Sequence, residues 1–149
     1  MLILGIETSC DETSAAVVES KDLRLLANVI SSQVPLHAPY SGVVPELASR
    51  AHLENLQTVI RESLAKAGVT LDDIETIAFT QGPGLKGALL VGEATARAMA
   101  LALGIPTIGV HHLEAHLICP LFEYPNIRPP LLGLIISGGH TDLVMVRRW

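Results

Sequence analysis

At 149 residues the chain is long enough for one domain with a real core and too short for two comfortable ones. Hydrophobic residues make up 49% and aromatic residues only 3%, which excludes a disordered chain and demands a core of Leu, Ile, Val and Ala, as in parallel-sheet α/β proteins. The net charge of −5 is uneven: residues 1–75 carry 5 basic and 11 acidic side chains, residues 76–149 carry 5 and 4, so an unaided grip on nucleic acid is not expected.

Two cysteines, Cys10 and Cys119, are too few for a disulfide framework and fit a reducing compartment. The N-terminus reaches Glu7 after a few apolar residues, with no basic stretch before it, so no signal peptide is read there. Around Ala88 to Leu103 the longest apolar helix candidate carries Glu93 and Arg97, the pattern of a core helix and not of a membrane span. A cytoplasmic protein is expected.

In chain order, Leu2 to Ser9 reads as an aliphatic strand, Cys10-Asp11-Glu12-Thr13 as a polar turn, and Ser14 to Glu19 as the return strand of a hairpin. The turn carries more hydroxyls and carboxylates than hairpin geometry requires. A third strand is expected at Leu23 to Ser31, and a loop at Val34 to Gly42, which holds Pro35 and Pro39. From Pro45, apolar residues recur at three- and four-residue steps through Ala67, predicting an amphipathic helix capped by Gly68, with His52 as a surface or packing residue.

Ile74 to Thr80 predicts a strand, and Gly82-Pro83-Gly84-Leu85-Lys86-Gly87 leads into a helix ending near Leu103. The spacing G-x-G-x-x-G between strand and helix invites a dinucleotide reading. The ribose-binding acidic residue about 20 positions on is missing from Ile105 to Val110. What survives is a tight turn permitted by glycine and able to face a phosphate or nucleotide.

Ile105 to Val110 is a further strand, followed directly by His111-His112-Leu113-Glu114-Ala115-His116. On a helix, His112 and His116 stack one turn apart, about 6 Å at Cβ, a spacing suited to one shared metal ion. A zinc-protease motif would need His-Glu-x-x-His, whereas Glu114 sits midway between the histidines and points away from them. Two imidazoles also leave such a site short of a third ligand. The helix runs on through Leu121, a Pro-rich loop spans Tyr124 to Pro130, and a closing hairpin follows: Leu131 to Ile136, the turn Ser137-Gly138-Gly139-His140, and Thr141 to Val146. That turn favours backbone N–H groups offered to an anion over a Ser137–His140–Asp142 triad.

Five of these stretches, in order, closely resemble the bacterial TsaD family, the tRNA adenosine threonylcarbamoyltransferases: Gly5 to Thr13, Val43 to Arg50, Gly82 to Leu85, His111 to His116, and Ser137 to Thr141. The resemblance implies an α/β protein with an actin-like ATPase (ASKHA) fold. Residues 1–149 would then form a ribonuclease-H-like N-terminal lobe, with residues 131–149 the first hairpin of a second lobe. It also implies transfer of the threonylcarbamoyl group from threonylcarbamoyl-AMP to N6 of the adenosine beside the anticodon in tRNAs reading ANN codons.

By the same resemblance His112 and His116 would ligate one divalent metal ion, iron or zinc. Ile135, Ile136, Ser137, Gly138 and Gly139 would line the adenylate site, and Asp11 and Glu12 would lie in the catalytic loop. Partners would be tRNA, a TsaB-like paralogue and a TsaE-like ATPase, with no membrane. The family's third metal ligand, an aspartate, lies in a second half, so this chain alone is expected to be inactive. The competing readings are a metal-dependent glycoprotease, disfavoured by the position of Glu114, and a non-catalytic scaffold like the TsaB paralogue, which lacks the histidine pair.

Overall fold

The computed structural model describes residues 1–137 and 141–148. The chain divides into two compact units, Met1–His112 and Leu113–Trp149. The expected onset of a second lobe at residue 131 falls inside the second unit.

In the first unit, strands β1 (Leu2–Glu7), β2 (Glu12–Glu19), β3 (Arg24–Ser32), β4 (Thr76–Gly82) and β5 (Thr107–His111) form one sheet in the order β3-β2-β1-β4-β5. β1, β2 and β3 pair antiparallel, as consecutive hairpins permit, while β4 and β5 join β1 in parallel. The parallel joins need crossover helices. Helix α2 (Pro45–Ala67) precedes β4 and helix α3 (Lys86–Leu103) links β4 to β5.

Alternation along the strands decides what faces those helices. Leu4 and Ile6, Ala15 and Val17, and Ile77 and Phe79 form one buried cluster with Leu56, Val59, Ile60 and Leu64 of α2 and Val91, Ala96 and Ala100 of α3. Each large aliphatic side chain so buried contributes about 1.5–3 kcal/mol, enough to seat both helices on one sheet face. Pro45 at the first helical position of α2, and Gly68 and Gly104 in the left-handed conformation behind α2 and α3, set the helix ends that the sequence predicts.

The expected loop from Val34 to Gly42 contains a short helix, α1 (Val34–His37), and a 3-10 turn (Ala38–Tyr40). Pro35 and Pro39 each occupy a first-turn position, where a missing N–H costs nothing, so both start short helices inside the expected loop.

The glycine-rich turn also has a structural reason. A Cβ on Gly84 would lie 2.5 Å from the Ser9 carbonyl oxygen, and the neighbouring Leu85 N–H donates to that same oxygen at 2.8 Å. Gly84 is thus glycine because it presses on the β1–β2 turn.

In the second unit, α4 (His112–Ile118, whose first residue closes the first unit) runs into a 3-10 turn (Cys119–Phe122), and β6 (Leu131–Ile136) pairs antiparallel with β7 (Thr141–Val146). Leu132, Leu134, Leu143 and Met145 remain exposed on this ribbon.

Replacing Gly84 by Ala forces a Cβ against backbone, so a loss of roughly 1–3 kcal/mol in urea or thermal unfolding is expected. Gly87→Ala meets only the Ser49 hydroxyl, which can turn aside, and should cost less.

Candidate functional site

The carboxyl ends of the parallel strands converge on one sheet edge, where open α/β sheets bind ligands. β1 ends at Glu7, β4 at Gly82 and β5 at His111, with His112 next in the chain. Leu4 and Ile6 turn into the core, so Glu7 projects from the opposite sheet face, as does Thr80 one residue past Phe79.

The Glu7 carboxylate collects donors there. One oxygen, Oε1, accepts the Ser9 N–H, and the other, Oε2, accepts the Thr80 hydroxyl. His112 Nδ1 lies 3.2 Å from the same Oε2, and 3.3 Å from the Ser9 hydroxyl. Burial pulls the Glu7 carboxyl upward, but these hydrogen bonds from Ser9, Thr80 and His112 outweigh it and hold the group below the ordinary carboxylate range.

The segment 8–13 is the β1–β2 turn together with Glu12 and Thr13, expected in the turn but already paired with β3 as the first residues of β2. It is fixed from two sides. Thr8 donates to the Ala88 carbonyl of α3 at 2.8 Å, and Ser9 receives Leu85 N–H. On the other flank, His52 of α2, taken from sequence for a surface or packing residue, is fully buried and reaches the turn through both ring nitrogens. Its Nε2 stands 3.1 Å from the Cys10 carbonyl, which can only accept, so that nitrogen carries the proton. Its Nδ1 then accepts the Thr13 hydroxyl at 2.7 Å.

Gln33 extends the chain of bonds. Its N–H donates to the Asp11 carbonyl, its amide nitrogen lies near His52, and its amide oxygen accepts from His37 Nε2 at 3.1 Å. Desolvation by burial lowers the His52 pKa, and the Cys10 carbonyl and the Glu7 and Asp11 charges only partly offset it. The hydroxyls of the turn, at Thr8, Ser9 and Thr13, are therefore buried and hydrogen-bonded within the fold, while Glu12 is exposed and Asp11 half-buried.

Cys10, also at the surface of this turn, is no thiolate nucleophile. Desolvation of its sulfur, then the hydrogen bond and charge of Asp11, push the thiol up to about 11.

Among the other expected site residues, α4 begins at His112 and contains His116. Ile135 and Ile136 end β6, and Ser137 follows them, exposed. Gly138, Gly139 and His140 lie outside the described residues. Among the described residues no group of three or more His, Cys, Asp or Glu side chains is placed to hold a metal ion. The sequence reading missed the network of His52, Gln33 and His37. Its only trace there was polar residues at positions whose helical or strand neighbours are apolar.

A family model described as TsaD, tRNA N6-adenosine threonylcarbamoyltransferase, matches residues 24–148. A curated relative of that name from Pelobacter propionicus is 57% identical over 146 residues, covering 98% of this chain and 42% of its own length. One from Caldicellulosiruptor bescii is 50% identical over 147 residues, 99% of this chain and 44% of its own. The chain thus spans less than half the length of the relatives it matches. Among solved structures, YeaZ from Pseudomonas aeruginosa superposes with a TM-score of 0.64 at 22% identity, over 98% of this chain and 67% of that one. That likeness fits the ribonuclease-H-like, actin-like fold built from the sheet order above.

His52 supplies a pH test of the turn. An unfolded histidine titrates near 6.5, and the folded value is lower, so the unfolded chain takes up the proton first as pH falls. Stability should be full above about pH 6.5 and decline below it, by at most about 1.4 kcal/mol per pH unit from this one group. His52→Gln should lower stability at pH 8 and reduce that acid slope, as read from urea midpoints at several pH values.

Proposed function

The chain belongs to the TsaD family, and on that footing we propose that it is the part of a tRNA N6-adenosine threonylcarbamoyltransferase that carries the histidine pair and the acidic turn. The match of the family model over residues 24–148 carries the reading. In the proposed reaction the adenosine N6 attacks the carbamoyl carbon of threonylcarbamoyl-AMP. The bond from that carbon to the phosphate oxygen breaks, AMP leaves, and N6 gives up a proton. An exocyclic amine is a poor nucleophile, so orientation, a stabilised leaving group and a proton acceptor must supply the rate.

Asp11 and Glu12 stand on a turn held at Thr8, Ser9, Cys10, Asp11 and Thr13, a rigid mount of the kind a proton acceptor needs. Asp11 is the residue assigned that role. Ile135 to Gly139 are assigned to the adenylate.

The donor set of His112 and His116 suits iron or zinc, since neutral imidazole binds both. When bound, such an ion supplies charge stabilisation for oxygen atoms of the acyl donor. The remaining ligand is assigned to the part of the relatives' length that this chain does not span.

The partners proposed are tRNA, a TsaB-like paralogue and a TsaE-like ATPase, in the cytoplasm. Among the described residues no helix is long and apolar enough to cross a membrane. For the paralogue we assign the groove between α2 and α3, of about 730 Å³, lined by Leu53, Leu56, Ile60, Leu64, Val91 and Met99. Leu53 of α2 is 67% exposed there, and the groove's apolar helix lining is suited to a second pair of helices.

In the full-length enzyme, Asp11→Ala should keep bound metal and reduce transfer by roughly 10²- to 10⁴-fold, the usual worth of a general base. His112→Ala should lose metal and transfer together, measured by elemental analysis and by threonylcarbamoyladenosine formation. Transfer at the wild-type rate in both variants would overturn the assignment, and peptide cleavage abolished by His112→Ala would favour the glycoprotease.

Leu53→Glu should leave the fold intact and abolish co-elution with the paralogue in size-exclusion chromatography. Unchanged co-elution removes the groove from the interface.

A further inference from the structure

We propose that Glu7 is a positioning residue for His112: by accepting the Nδ1 proton it sets the imidazole in the tautomer whose lone pair is on Nε2, the form that can ligate a metal through that nitrogen. The inference deepens the metal reading of His112 and rests on it, but its geometry lies wholly within the first unit.

A carboxylate on an otherwise aliphatic strand, Leu2-Ile3-Leu4-Gly5-Ile6-Glu7, is costly at a half-buried position unless its oxygens are satisfied. They are. Oε1 takes the Ser9 N–H, which can only donate, and Oε2 takes the Thr80 hydroxyl. Both oxygens act as acceptors, so the group that reaches Oε2 next must bring a proton. His112 Nδ1, 3.2 Å away, is that group. The Ser9 hydroxyl at 3.3 Å from the same nitrogen flanks this contact and limits rotation of the ring.

Neutral imidazole has a single N–H, so a proton on Nδ1 places the lone pair on Nε2. Histidines that bind metals commonly hand their other N–H to a carboxylate or carbonyl, which fixes tautomer and ring orientation. Core packing lies on the opposite face, at Leu4 and Ile6, so Glu7 serves the polar edge of the sheet, where it accepts from Ser9 N–H and the Thr80 hydroxyl and meets His112.

The test uses the full-length enzyme, labelled with ¹⁵N at histidine and stripped of metal. Long-range proton–nitrogen spectra report which ring nitrogen of His112 is protonated, with the signal assigned by His112→Gln. The wild type should show Nδ1–H. Glu7→Ala should shift His112 toward Nε2–H and weaken zinc affinity 10- to 100-fold in chelator competition, the usual effect of removing such a partner. Glu7→Gln retains an acceptor oxygen and the side-chain volume, and should recover part of both.

If Glu7→Ala fails to fold, Glu7→Gln decides: an intermediate tautomer population with several-fold weaker zinc binding supports the assignment, and wild-type values for both overturn it. Wild-type values in a folded Glu7→Ala overturn it equally. A wild type that shows Nδ1–H, loses it in Glu7→Ala, and takes up no zinc upholds the positioning of His112 while removing the metal reading.

Discussion

Much of this fold answers one demand, that a short polar turn at the end of β1 be held rigid where the sheet opens. Residues 8–13 carry three hydroxyls that are almost wholly buried, and a buried hydroxyl without a partner costs on the order of 1–3 kcal/mol. Each is satisfied by a different element. The Thr8 hydroxyl reaches α3, the Thr13 hydroxyl reaches His52 on α2 and the Ser9 hydroxyl lies 3.3 Å from His112 Nδ1, while the Ser9 carbonyl takes the Leu85 N–H of the glycine-rich turn. The two main helices therefore do more than cover the apolar face of the sheet, because their inner ends grip the turn from both flanks. That arrangement leaves the carboxylates of Asp11 and Glu12 at the surface of a scaffold that cannot drift.

The grip also explains why features that looked like ligand chemistry are structural. The glycine spacing at residues 82–87 has the form of a phosphate loop, yet Gly84 lies against the Ser9 backbone and the N–H of Leu85 is spent on the Ser9 carbonyl. An N–H already donated to protein is not available to a phosphate at that position. His52 shows the reverse. Its pattern gave no sign of chemistry, but its two ring nitrogens join the Cys10 carbonyl to the Thr13 hydroxyl in one defined tautomer.

The elements were largely legible in the sequence because hydrophobic period is a local property. Aliphatic runs at Leu2, Ile77 and Thr107 and the three- and four-residue steps of α2 are decided by what each face must bury. Pro35 and Pro39 misled because proline breaks a helix from within but starts one well, and position within the turn is not a compositional signal. Likewise His112 and His116 were found by spacing along one helix, whereas the His52, Gln33 and His37 network joins α2, the end of β3 and α1. No window of sequence contains it.

Glu7 and His112 mark the limit of such reading, since 105 residues separate them and the register of three strands brings them together. In the parallel pair β1–β4, Ile6 lies opposite Phe79, which sets Glu7 beside Thr80. In β4–β5, Thr80 lies opposite Val110 and Gly82 opposite His111, with an irregularity between Thr80 and Gly82 that carries the end of β5 toward the same edge. A slip of one residue in β1 would turn Glu7 into the aliphatic core and bring Ile6 to His112, reversing every side chain on the strand. Burial of Leu4 and Ile6 forbids that slip, and it does so with several kcal/mol of apolar burial. The hydrophobic core is thus what aims the carboxylate at the imidazole, and the polar contact needs to contribute little stability of its own.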